Sequence, residues 1–220
     1  MTDVANSFFL IYAGLFPIVN PVGGAPIFLS LTQQSSESER HALAARIAVN
    51  GFCLLLGSLF VGSHVLEFFG ITLPVVRIGG GLVVIAFAWK LLNTERALED
   101  QRALESAERT SPPIDAFYPL TMPLTVGPGS ISVAITLGSQ RPKGSGDLAH
   151  LALLGGGAVA GLFAIAATIY VCYRFAEQIV AALGVSGTNV LMRLSAFILL
   201  CIGIQIVWNG YSALVGLANS

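Results

Sequence analysis

Pro17, Pro21 and Pro26 recur as Pro119, Pro123 and Pro128, with the same spacing of four then five residues and the two sets 102 positions apart. Each set lies in a long charge-free apolar stretch, LFPIVNPVGGAPIFLSLT and FYPLTMPLTVGPGSISVAITLG. Proline removes a backbone donor and clashes with the preceding turn. Three prolines in one bilayer-spanning segment therefore leave backbone groups that lipid cannot satisfy. Those groups must face protein, water or a ligand. Duplicated, Gly/Pro-interrupted hydrophobic segments point to the substrate site of a transporter.

Composition sets the class. Soluble domains carry about 25% charged residues, whereas this chain of 220 residues has 10%, with 55% hydrophobic residues and a mean hydropathy of +0.78. It reads as an integral membrane protein. Nine of its 23 charged residues fall between Glu95 and Asp115, so the remainder is more apolar than the average. A net charge of -1 argues against a nucleic-acid partner. Cys53, Cys172 and Cys201 are odd in number, widely separated and embedded in apolar runs, which predicts small buried hydrophobes and neither disulfide nor metal site.

About 20 apolar residues cross the hydrocarbon core. The chain then divides into six predicted spans, residues 7–31, 45–66, 71–92, 116–138, 149–173 and 190–215, in one transmembrane domain, 1–220. The charged stretch 93–115 reads as a partly helical cytoplasmic connector closed by Pro112-Pro113. With the N-terminus outside, Arg40, Arg46, Lys90, Arg96, Arg102, Arg109, Arg174 and Arg193 lie toward the cytoplasm, against Arg77, Arg141 and Lys143 on the other side. That bias satisfies the positive-inside rule and predicts both termini periplasmic or extracellular.

Three spans per half is an odd number, so the second half must enter from the opposite side, giving an N-terminal repeat over 7–92 and an inverted C-terminal repeat over 116–215. The third spans agree. GITLPVVRIGGGLVV and GVSGTNVLMRLSAFILL each begin with glycine and place one arginine, Arg77 or Arg193, near the start. Those arginines read as snorkelling anchors or as partners of a helix end or a loop acid such as Glu67 or Glu177. Gly79, Gly80, Gly81, Gly155, Gly156, Gly157 and Gly161 mark where helices pack closely.

At a broken span, freed N–H groups attract anions and freed carbonyls attract cations. A zwitterion suits that pair of ends. Around the second break Thr121 and Thr125 offer hydroxyls, Gly127 and Gly129 permit close approach to the backbone, and Ser130 is positioned to cap the next half-helix. Around the first, Asn20 supplies donor and acceptor, with Gly23 and Gly24 opening the chain. Asn50, Gln205 and Asn209 are further cavity-lining candidates, since an unpaired amide facing lipid is costly. No Asp or Glu falls in the middle of a predicted span, which disfavours a proton relay and a cationic substrate. Replacing Gly129 with leucine is expected to stop transport and leave the fold intact.

The sequence resembles the MarC family of bacterial and archaeal membrane proteins over nearly its whole length. NPVGG with Pro26 and Phe28, Gly70-Ile71 with Pro74, Arg77-Ile78 and Gly80-Gly81, Pro119-Leu120 with Pro123, Gly127-Pro128-Gly129 and Ile131, and a closing Arg193, Cys201, Gly203, Gln205 and Asn209-Gly210 carry the resemblance. It implies a six-span inner-membrane protein related to LysE-type amino-acid exporters with three-span repeats. Some such relatives resemble transporters of glycine or alanine. The aromatic lining of a drug pocket is not apparent, since only Phe16, Phe28, Phe117 and Tyr118 approach the breaks.

The expected fold class is therefore an all-α membrane protein of six transmembrane helices in two inverted three-helix repeats, with the first and fourth helices broken by Pro and Gly. The expected function is alternating-access transport of a small neutral or zwitterionic solute, foremost a small neutral amino acid, with no cofactor. A coupling ion, Na+ or H+, would be held by carbonyls and hydroxyls, and the oligomeric state is left open. Rival readings are a passive channel and a membrane scaffold acting through the charged connector. An intramembrane hydrolase is disfavoured, because no span pairs a serine with a placed His or Asp.

Overall fold

The computed structural model describes residues 2–93, 115–139 and 148–218. The connector, with Arg96, Arg102 and Arg109, lies almost wholly outside the described residues, as do Arg141 and Lys143. Seven α-helices and one π-helical turn account for nearly all of the rest. They are α1 (Thr2–Val19), α2 (Pro21–Leu31), α3 (Glu37–Phe68), α4 (Leu73–Leu92), the π turn Leu120–Thr125, α5 (Pro128–Ser139), α6 (Leu148–Arg174) and α7 (Ala176–Ala218). Among the described residues no strand forms beyond an isolated bridge between Asp115 and Pro119.

The helix ends follow from local sequence. Ser36 and Glu39 cap α3 reciprocally, with the Glu39 amide donating to Ser36 Oγ at 3.3 Å and the Ser36 amide to Glu39 Oε2 at 2.8 Å. The Ser36 amide and, second, the Ser36 hydroxyl hold the Glu39 carboxyl below its ordinary value. At its far end α3 stops in a Schellman turn. The Gly70 amide donates to Glu67 O at 3.1 Å and the Ile71 amide to Leu66 O at 2.9 Å, with Gly70 at φ 66°. α7 is interrupted at Gly184, which has the same φ of 66° and ψ of 178°.

Four helices, α3, α4, α6 and α7, are long and apolar enough to cross a bilayer, and α1 with α2 makes a fifth, bent by 40°. The predicted fourth span is not a rod. Its α5 has 12 residues, about 18 Å by the helical rise, too short to cross alone, and an irregular π turn precedes it. Among the described residues the fold is thus all-helical, with up to five spans by helix length.

Helix pairing is regular. α4 packs along α7, α3 along α6, α1 on α6, α3 on α5, α4 on α5 and α2 on α7. Gly81 and Gly203 let α4 and α7 cross so closely that a Cβ on Gly81 would lie 2.9 Å from the Gly203 carbonyl. Gly157 and Gly161 serve the crossing of α6 with α1, whereas Gly79, Gly155 and Gly156 face open space. The main core joins Leu15, Phe28, Ile47, Leu55, Leu120, Ile165 and Tyr173. Outward faces stay apolar, with Phe163 68% and Trp208 62% exposed, as lipid-facing surface requires. Cys53 and Cys201 also face outward, contrary to expectation, and only Cys172 is buried.

Candidate functional site at the second helix break

The two proline sets produce different breaks. In the first, Pro17 and Pro26 sit inside α1 and α2, and the chain bends only at Asn20, which takes a left-handed conformation (φ 46°, ψ 56°). Pro21 opens α2, where its missing N–H is no loss. Asn20 Oδ1 accepts from the Gly23 amide at 3.2 Å, and Asn20 O accepts from the Gly24 amide at 2.9 Å. This break therefore closes on itself. Asn20 acts as a helix cap, and Gly23 lies against its side chain.

The second break stays open. Pro128 has no N–H to offer the Leu124 carbonyl, and the first amide of α5 with a backbone acceptor is that of Ile131, bonded to Gly127 O at 3.1 Å. The amides of Gly129 and Ser130 make no corresponding bonds to the Thr125 and Val126 carbonyls. Ser130 does not cap the helix, because its hydroxyl donates to Gly127 O at 2.8 Å. Unsatisfied donors and acceptors thus sit within seven residues of chain, 124–130. A cavity of about 70 Å³ opens beside them, lined by Leu124, Thr125, Gly127, Gly129 and Ser130 and walled by Ile18, Val83, Val84, Phe87 and Leu199. That volume holds a solute of a few heavy atoms and is far below the roughly 300–1,000 Å³ of a drug-sized pocket.

The π turn explains why the two threonines are not free to bind a solute as expected. Wide turns place each hydroxyl beside the carbonyl five residues back, so Thr121 donates to Ala116 O at 2.7 Å and Thr125 to Leu120 O at 2.8 Å. One hydroxyl has one proton. Thr121 therefore accepts from Asn50 Nδ2, at 3.5 Å, and Thr125 accepts from the Tyr173 hydroxyl, at 2.8 Å. Pro119 and Pro123 frame this turn, which places Met122 at non-helical angles.

Tyr173 brings the breaks together. Its ring stacks on Phe28 of α2, with centroids 4.7 Å apart and planes 10° apart, and its hydroxyl lies where a side chain on Gly24 would be. Sequence reasoning missed it, although an aromatic at the polar end of an apolar run beside Arg174 was a usable signal. Gln205 and Asn209 do not join the site. They hydrogen-bond to each other at 2.8 Å on the exposed face of α7. Arg77 Nε donates to Thr136 Oγ1 at 3.3 Å, tying α4 to the end of α5. A Cβ on Gly129 would collide with Val84 Cγ2, so a leucine there disturbs the packing as well as the cavity.

Residues 5–215 match the family described as MarC family integral membrane protein. Membrane protein YhcE of Escherichia coli (strain K12) is 30% identical over 217 residues, covering 96% of this chain and 95% of the relative. Inner membrane protein MarC of Salmonella typhimurium is 30% identical over 214 residues, 96% of each chain. A membrane protein of Archaeoglobus fulgidus is 29% identical over 205 residues, 92% of this chain and 91% of its own. No solved structure matches.

Proposed function

From the premise that this chain belongs to the MarC family of integral membrane proteins, we propose that it is a secondary transporter of a small neutral amino acid, working by alternating access. The observation that carries the reading is the uncapped start of α5 beside a cavity of about 70 Å³. The Gly129 and Ser130 amides offer the positive end of a half-helix to a carboxylate, and the carbonyls of Leu124, Thr125 and Val126 offer acceptors to an ammonium or a coupling cation. The apolar wall of Val83, Val84, Phe87 and Leu199 suits a hydrogen or methyl side chain.

In this reading the chain has six spans in two inverted repeats, the fourth being the π turn plus α5. Exchange of the halves supports it. α4 with α7 and α3 with α6 map onto themselves, while α2 on α6 maps onto α5 on α3, and α4 on α5 maps onto α7 on α2. Gly70 and Gly184, at matching points of the two third-span sequences, share φ 66°. Both termini lie outside, and a reporter fused at Ser220 that gave a cytoplasmic signal would reverse that orientation. Proteoliposomes loaded with unlabelled alanine or glycine should accumulate the labelled amino acid by saturable counterflow. Absence of flux for every small neutral amino acid refutes the function, and flux without counterflow identifies a channel instead.

A further inference from the structure

The halves meet in two kinds of contact. At Gly80 against Ser132, Gly138 against the Leu59 carbonyl and Gly81 against the Gly203 carbonyl, a single added carbon has no room. Near Thr125 they meet through side chains instead. Tyr173 of α6 lies over Thr125 and stacks on Phe28 of α2. Beyond that stack Arg40 of α3 is ion-paired with Glu177 of α7. Glu37, His41 and Arg174 line the same pocket, with His41 3.8 Å from Glu37 and Arg174 donating to the Tyr170 hydroxyl at 3.1 Å. Between stack and ion pair is a hollow of about 10 Å³ lined by Phe28, Leu29, Arg40, Tyr173 and Glu177, room for about one water.

We propose that Arg40–Glu177 and Phe28–Tyr173 are the two layers of a gate closing the Thr125 end of the transport path, toward the face that carries Arg40 and Arg174. The gate rests on the transporter reading for its purpose. Each layer takes one residue from each half, so rocking the halves apart breaks both layers together. The outer layer suits reversible opening, because Glu177 is half exposed, although the Arg40 side chain is only 16% exposed, and solvent screening at the Glu177 side keeps the net contribution of the pair modest. The inner layer excludes water from the Thr125 hydroxyl while closed, and its phenol is anchored by that same hydroxyl. In the orientation proposed above, this gate faces the cytoplasm.

The test reads accessibility and needs no transported solute, so it fails or succeeds independently of flux. In a chain with Cys53, Cys172 and Cys201 replaced by alanine, Leu124→Cys, on the cavity wall, is alkylated by a charged, membrane-impermeant maleimide added to inside-out vesicles, and Thr125 is kept because its hydroxyl anchors Tyr173. The expected result is slow alkylation in the parent, about three- to fivefold faster with Arg40→Gln or Glu177→Gln, the shift in open population that loss of one partly exposed ion pair produces. Slow alkylation should return in the swapped Arg40→Glu/Glu177→Arg chain, which separates the pairing from a folding defect. Equal rates in the parent and both single variants, or a swapped chain as fast as the single variants, overturn the gate.

Discussion

Tyr173 donates its phenolic proton to Thr125, at 2.8 Å, because the Thr125 proton is already committed to the Leu120 carbonyl. Both side chains are 2% exposed. Removing the phenol and removing the threonine hydroxyl are therefore unequal losses. Tyr173→Phe deletes one bond and keeps the stack on Phe28, at a cost of about 0.5–1.5 kcal/mol. Thr125→Val strands the buried Tyr173 hydroxyl and the Leu120 carbonyl, each uncompensated group adding about 1–3 kcal/mol. Thermal unfolding in detergent should rank Thr125→Val well below Tyr173→Phe, and the double variant should lose less than the sum of the two. Equal losses would mean that the bond runs the other way.

Asn20 separates capping from solute binding. Its side chain and left-handed backbone serve the Gly23 amide, a position where glycine is also comfortable. Asn20→Gly should cost a few tenths of a kcal/mol, while Asn20→Ala should cost about 0.5–2 kcal/mol for the lost cap plus about 1–2 kcal/mol for the left-handed conformation. Amino-acid flux in proteoliposomes should survive Asn20→Gly. Loss of flux in a stably folded Asn20→Gly chain would return Asn20 to the binding site.

How far the site was legible in the sequence divides at these two breaks. The repeated proline spacing located both, because proline acts through its own missing N–H wherever it sits. Their different outcomes depend on neighbours. Asn20 can take φ 46° and cap the next turn, whereas Leu120–Thr125 has no such residue and widens until two threonine hydroxyls reach carbonyls five residues back. Tyr173 and the cavity wall of Val84 and Leu199 come from helices distant in sequence, so only packing could bring them in. Gln205 and Asn209 look like buried amides by residue type, yet their spacing of four places them side by side on one helix, where Gln205 donates to Asn209 on the outer face.

Gly129 offers a test of the cavity that tolerates a packing defect. Even Gly129→Ala meets Val84 Cγ2, so the single variant should be destabilised by about 1–3 kcal/mol, the usual cost of overpacking. Trimming the opposing side chain should relieve it. Gly129→Ala with Val84→Ala is expected to recover most of the thermal stability. The amides of Gly129 and Ser130 are unchanged in that chain, so the KM for a small amino acid should stay within a few-fold of the parent. A double variant that folds normally but has lost flux would mean that the cavity between Gly129 and Val84 does not admit the solute once a methyl group is moved from one side to the other.

Gly70 and Gly184 share φ 66° but should not tolerate the same substitutions. Gly70 ends α3 in a Schellman turn, a left-handed position that asparagine also occupies, and a side chain there meets open space. Gly184 has ψ 178°, in a region that is essentially confined to glycine, although it too is sterically open. Any difference between them must come from the backbone. Gly70→Asn should leave the unfolding temperature close to the parent, while Gly184→Asn should lose about 1–3 kcal/mol, the strain of holding a side-chain-bearing residue at those angles. Equal tolerance would show that α7 adopts a different conformation at residue 184 in the bilayer, one in which the two third spans begin in the same way.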